Sequence, residues 1–188
     1  MTDAAEVNTF TPLSRVLHWL TAVLVFAALF VGFVMVNSVG GYAGLLALHK
    51  TLGALILLVI VVRVVNRLTH HPPAWPSTIG AREGKLVGLS EKLLYALLLV
   101  QPLVGWAMIS AAGEPVVVFG WLRLPRIAPF DGQLYWVLRQ AHSVVAYTLM
   151  AAIAAHVSAV LLHTLTLRDR LIERMTFRFR TKADRSRA

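Results

Sequence analysis

Four stretches of this chain, 16–36, 45–65, 92–112 and 141–165, are each apolar over about 20 residues, the length an α-helix needs to cross the hydrocarbon of a bilayer. Backbone amides in lipid find no water to bond, so a segment of this kind must close its hydrogen bonds internally as a helix. Four such spans in 188 residues leave room for little else. The expectation is therefore all-α: an integral membrane four-helix bundle, one domain over 1–188, with a basic tail at 168–188. The composition agrees, with 57% hydrophobic residues and only 14% charged, far more apolar than a soluble core requires.

The net charge of +9 would suit nucleic acid in a soluble protein, but in a chain built of spans it reports orientation instead. Arg15 precedes the first span. Arg63, Arg67, Arg82, Lys85 and Lys92 join the second to the third, and eight Lys and Arg follow the fourth. The opposite connections carry Lys50, and then Arg123, Arg126 and Arg139 offset by Glu114 and Asp131. Cytoplasmic loops collect the cations, so both termini are expected in the cytoplasm of a multi-pass inner-membrane protein. Asp3 and Glu6 and the lack of a basic start argue against a cleaved leader, so the first span is expected in the mature protein. The 116–121 segment is too short to cross, and with Trp121 and Trp136 reads as lying at the interface. The Pro-rich stretch from Thr69 to Ser90 is expected to be a polar connection that resists helix, and Pro102 predicts a kink in the third span.

An ionisable side chain inside a span is rare enough that function is the first hypothesis, and four histidines sit in or at the edges of these spans. His18 opens the first at the cytoplasmic side, and His156 lies far down the fourth, which enters from outside. They can meet near the inner leaflet. His49 and His142 begin the second and fourth spans at the outer side and can meet near the outer leaflet. His142 and His156 are 14 residues apart, roughly 21 Å along the axis and about 40° around it, so one face of one helix presents both. Two flat macrocycles stacked at different depths, each bridged by imidazoles from two helices, need this arrangement. With no cysteine in the chain, haem can be held only without covalent tethers. Two imidazoles on one iron fill its coordination sphere, which suits electron transfer rather than oxygen binding.

His163, seven residues beyond His156, is a candidate for quinone or propionate hydrogen bonding, against the alternative of an interfacial histidine facing head groups. Arg63 and Arg67, four apart, are read as snorkelling to lipid phosphates, or else as holding propionates. His70 and His71 are read as surface residues. No catalytic residue is assigned.

The sequence resembles the bacterial cytochrome b561 family over nearly its whole length. The resemblance rests on Arg15-Val16-Leu17-His18-Trp19, His49-Lys50-Thr51-Leu52-Gly53, Arg63-Val64-Val65-Asn66-Arg67, Leu94-Tyr95 followed by Pro102-Leu103-Val104-Gly105-Trp106, and the His142 and His156 pair. It implies two non-covalent b haems, with His18 and His156 as axial ligands of the inner iron and His49 and His142 of the outer one. It also implies ubiquinone as acceptor, with His163 at its site, and superoxide or another periplasmic donor as the electron source, so that the activity would be that of a superoxide:ubiquinone oxidoreductase. An electron-transfer subunit serving a dehydrogenase, a hydrogenase or a periplasmic redox protein is the alternative. A histidine-based transporter is disfavoured, because no Asp or Glu falls inside a span. One position departs from the family: Glu91 stands where some relatives carry histidine.

Overall fold

In the computed structural model, residues 9–37, 40–70, 72–74, 79–167, 169 and 171–176 are described; His71 and most of the 168–188 tail lie outside them. Thr11 and Pro12 start the first helix. The Thr11 hydroxyl accepts from the amide of Ser14 at 3.2 Å, and Pro12 costs no hydrogen bond at a position whose amide would be unpaired. Helix α1 runs Pro12–Asn37, α2 Tyr42–Thr69, α3 Ala81–Ala111 and α4 Gly132–Leu161. All four are long and apolar enough to cross a membrane.

Every helix outruns the span predicted for it, and α3 does so most. It begins at Ala81, inside the stretch expected to resist helix, because Glu83 reaches back to the Gly80 amide at 3.3 Å and closes the first turn. Likewise α4 begins nine residues early, where Asp131 Oδ1 accepts from the Leu134 amide at 2.8 Å. Hydropathy marks the part of a helix in lipid, whereas caps mark where it starts. A helix the length of α3, 31 residues, spans roughly 46 Å and must emerge from the hydrocarbon. It continues through Pro102 as a single helix.

Successive helices pack side by side, α1 on α2, α2 on α3 and α3 on α4, around Val25, Ala28, Ile56, Ile60, Leu98 and Leu149. Large apolar side chains such as Val23, Phe26, Phe30 and Phe33 point outward, as lipid-facing residues do. The 116–121 segment is not merely interfacial coil. Val116–Val118 (β1) pairs antiparallel with Leu122–Leu124 (β2), and the loop between them turns through Phe119 (φ 55) and Gly120 (φ 77). Phe119 holds a left-handed backbone that a side chain disfavours, secured by its amide donating to Thr51 Oγ1 of α2 at 3.2 Å. Trp121 at the loop end and Trp136 on α4 are exposed, as the interfacial reading expected. Trp106 Nε1 donates to Pro125 and Arg126 to the Gly113 carbonyl, tying the hairpin down.

At the opposite end the first and the last of the described residues meet. The amide of Phe10 donates to the Arg174 carbonyl at 3.1 Å, and Arg15 and Trp19 donate to the carbonyls of Thr176 and Met175. After α4 the chain passes through a π-helical stretch, Leu162–Leu167, and a 3-10 turn, Leu171–Arg174. Buried Arg174 donates to the carbonyls of Pro73 and Ala74 and so closes this end.

Candidate functional site

Toward the hairpin end, α2 and α4 bring His49 and His142 face to edge, with ring centres 6.2 Å apart and planes at 80°. Each ring has its proton placed by a neighbour. His49 donates from Nδ1 to the Ala28 carbonyl of α1 at 3.1 Å, which leaves its Nε2 with a lone pair. The Gln101 amide donates to His142 Nε2 at 3.1 Å, so the lone pair of that ring is on Nε2 as well, while its Nδ1 is buried with no hydrogen-bond partner. Two glycines let the rings sit where they do. A Cβ on Gly32 would lie 3.3 Å from His49 Cε1, and one on Gly105 would lie 3.0 Å from His142 Cε1.

Toward the terminal end, His18 of α1 and His156 of α4 lie within electrostatic reach of each other and of Arg63. Arg63 donates to His18 Nδ1 at 2.9 Å and covers the Tyr95 ring at 5.1 Å. One turn on, Arg67 forms a two-pronged pair with Glu91 at 2.9 and 3.1 Å. Neither arginine snorkels outward, contrary to the sequence reading. The aromatic face of Tyr95 and the carboxylate of Glu91, both on α3, draw them inward instead. Asn66, buried in α2, donates to Ser14 Oγ at 2.8 Å and holds α1 and α2 in register at this level.

His163 does not face head groups either. It lies in the π-helical stretch, buried, with Nδ1 2.7 Å from Asp169 Oδ2 and Nε2 3.1 Å from Glu83 Oε1. His70 is exposed, as expected, and among the described residues bonds only to its own turn.

Sequence reasoning found the histidines and missed their partners. Gln101, Gly32, Glu83, Asp169 and the Ala28 carbonyl come to the rings from other helices or loops, and no spacing rule connects them. Gly105 alone had a signal, standing inside the Pro102-to-Trp106 motif.

Four membrane-length helices with imidazoles at two depths of one bundle define an all-α membrane protein of the cytochrome b type. The profile of the prokaryotic cytochrome b561 family matches residues 9–178, and the chain belongs to that family. It is 32% identical over 179 residues to cytochrome b561 homolog 2 of Escherichia coli K12, covering 87% of this chain and 88% of that one. A probable superoxide oxidase, CybB, of Yersinia pestis is 27% identical over 129 residues, 68% of this chain and 72% of the relative. Cytochrome b561 homolog 1 of E. coli K12 is 23% identical over 171 residues, 89% of this chain and 97% of the relative. The chain is thus a haem b-binding electron-transfer protein that crosses the bacterial inner membrane several times.

Proposed function

We propose that this chain holds two haem b groups and passes electrons from a donor at the hairpin end, facing the periplasm, to ubiquinone at the terminal end, facing the cytoplasm, with superoxide as the donor. His49 and His142 would hold the outer group, and His18 and His156 the inner one. The observation that carries the reading is the His49–His142 pair, with ring centres 6.2 Å apart. With that spacing His49 and His142 would be able to hold one iron between helices α2 and α4. The donor set supports it too, since both Nε2 atoms are unprotonated, the state a ligand needs, although the Gln101 amide that now donates to His142 Nε2 would have to give way. When bound, the haems supply one-electron redox centres at two depths.

The chain's own residues supply the rest. Ala28 orients His49, and Gly32 and Gly105 let the two rings approach without a clash. At the inner level, ligation through His18 Nε2 requires Nδ1 to donate rather than accept, so Arg63 must then leave His18 and becomes free to meet an anion such as a propionate. Lys50, Arg123, Arg126 and Arg139 lie toward the hairpin end and would steer a small anion there. The likeness to the probable superoxide oxidase of Yersinia pestis supports superoxide as that anion. The count of cations in the connections supports the orientation.

The test begins with haem content, expected at two per chain. His142→Ala and His18→Ala should each lose one haem while His70→Ala keeps both. Pulses of superoxide mixed with the oxidised protein should reduce it rapidly, and a quinone should then reoxidise it. Sluggish reduction together with a second polypeptide that co-purifies would instead favour the subunit reading. A colourless protein would end the proposal.

A further inference from the structure

Two residues of α3, one helical turn apart, face the His142 ring of α4. Gly105, lacking a side chain, leaves room for the ring edge at Cε1 and Nδ1, and Gln101 reaches the other nitrogen, its amide donating to Nε2 at 3.1 Å. On the proposed reading an iron takes that same nitrogen, and its single lone pair serves one partner at a time. Gln101 and an iron at His142 Nε2 are therefore alternatives. His18 and His49 are met differently, at Nδ1, by Arg63 and by the Ala28 carbonyl, so their Nε2 atoms are not the ones engaged by these neighbours.

The contact between Gln101 and His142 is also only half satisfied. Gln101 Oε1 and His142 Nδ1 are both buried, and neither has a hydrogen-bond partner among the described residues. With Nε2 accepting, Nδ1 carries the one proton of the neutral ring. A donor and an acceptor thus stand unpaired on two side chains that already touch. Buried polar groups are nearly always paired, because leaving one bare is costly. The amide of Gln101 is fixed by the ring alone, through its nitrogen, and its oxygen does not anchor it to anything else among the described residues.

We infer that Gln101 is a gate on the outer haem site: it closes His142 Nε2 while no iron is there, gives way when iron binds, and by this competition lowers the affinity of that site. The inference rests on the reading of His142 as an iron ligand. Its physical use is to spare the bundle a bare, buried imidazole nitrogen, so that the four helices can assemble and persist with the outer haem off. Removing the amide acts unequally on the two sides of the binding equilibrium. Without haem, Gln101→Leu leaves His142 Nε2 buried and unpaired, which destabilises that side. With haem, the amide has already left the ring, and leucine relieves the bundle of a buried polar group. Both effects favour the loaded form. A residue that merely packed beside the ring would act in the opposite sense, since its replacement would loosen the ligand and weaken haem binding.

The test challenges the full-length, haem-loaded protein in detergent with rising amounts of apomyoglobin, which captures released haem. Absorption difference spectra report what each level retains, and the spectra of His142→Ala and His18→Ala tell the levels apart. Gln101→Leu and Gln101→Met should hold the outer haem roughly two- to tenfold more tightly than wild type, the range that one net hydrogen bond supplies, and should release the inner haem as wild type does. Outer haem that is held no more tightly, or less tightly, overturns the gate while leaving the ligand assignment intact. A gain shared equally by both levels overturns it too, because only His142 is met by Gln101. If Gln101→Leu fails to assemble, Gln101→Met decides alone, since its unbranched side chain is close to glutamine in length and shape. Wild-type protein that carries one haem, or an outer haem that survives His142→Ala, would refute the ligand reading, and the gate with it.

Discussion

Gly105 offers the sharpest test of how the outer histidines are held. A Cβ at that position would stand 3.0 Å from His142 Cε1 and 3.3 Å from its Nδ1. Carbon atoms rest at about 3.5–4.0 Å, so Gly105→Ala must push the ring aside by roughly 0.5–1 Å. A ligand constellation tolerates about 0.5 Å of displacement. Moving a metal-ligating histidine through its surroundings costs roughly 10–100-fold in affinity, or about 1.4–2.8 kcal/mol. Gly32→Ala is milder, because its Cβ would lie 3.3 Å from His49 Cε1 and asks for only a few tenths of an ångström. Less than a tenfold loss is expected there. Gly88 has nothing within 4 Å, so Gly88→Ala is the control. Alanine is the better helix former by about 1 kcal/mol, so none of the three should unfold the bundle. Titrating haem into the apoprotein, with helicity followed by circular dichroism, separates affinity from folding. The reasoning fails if Gly105→Ala binds both haems as tightly as wild type, or loses both together.

Arg63→Gln should lower the reduction potential of one centre, the inner one, because a cation near His18 and His156 favours the reduced state; equal shifts in both centres of a redox titration would contradict this. Arg67→Ala should cost about 1 kcal/mol, since Arg67 and Glu91 are 34% and 31% exposed and solvent screens the pair in part. The double swap Arg67→Glu with Glu91→Arg should recover thermal stability that either single change loses. Asp131→Ala removes the α4 cap and should cost about 1 kcal/mol, visible as faster amide exchange at 132–135, with outer haem content unchanged because His142 lies well beyond the first turn.

What could be read from the sequence was whatever repeats along a single helix. Lipid imposes a run of apolar residues, and the 3.6-residue period places His142 and His156 on one face, so the fold, the span count and the two histidine levels were all visible. Helix ends were not, because Gly80 with Glu83, and Asp131 with Leu134, start helices through hydrogen bonds that hydropathy does not measure. The hairpin was equally hidden, since strands of three residues, such as Val116–Val118, carry too little alternation to register. The surroundings of His163 required partners 80 positions apart in one case and across an irregular turn in the other, and only the folded chain joins Glu83, His163 and Asp169.

The two histidine levels also differ in kind. Around His49 and His142 the neighbours are neutral: a carbonyl, an amide and two glycines. Around His18 and His156 they are charged: Arg67 is paired with Glu91, while among the described residues Arg63 meets the His18 ring and Tyr95. The inner level thus holds the Arg63 cation within a half-buried site, where Coulomb interactions are screened far less than in water. On the proposed reading, with electrons entering at the hairpin end, the Arg63 cation would favour their arrival at the inner level, and removing Arg63 should weaken that pull without disturbing the outer level.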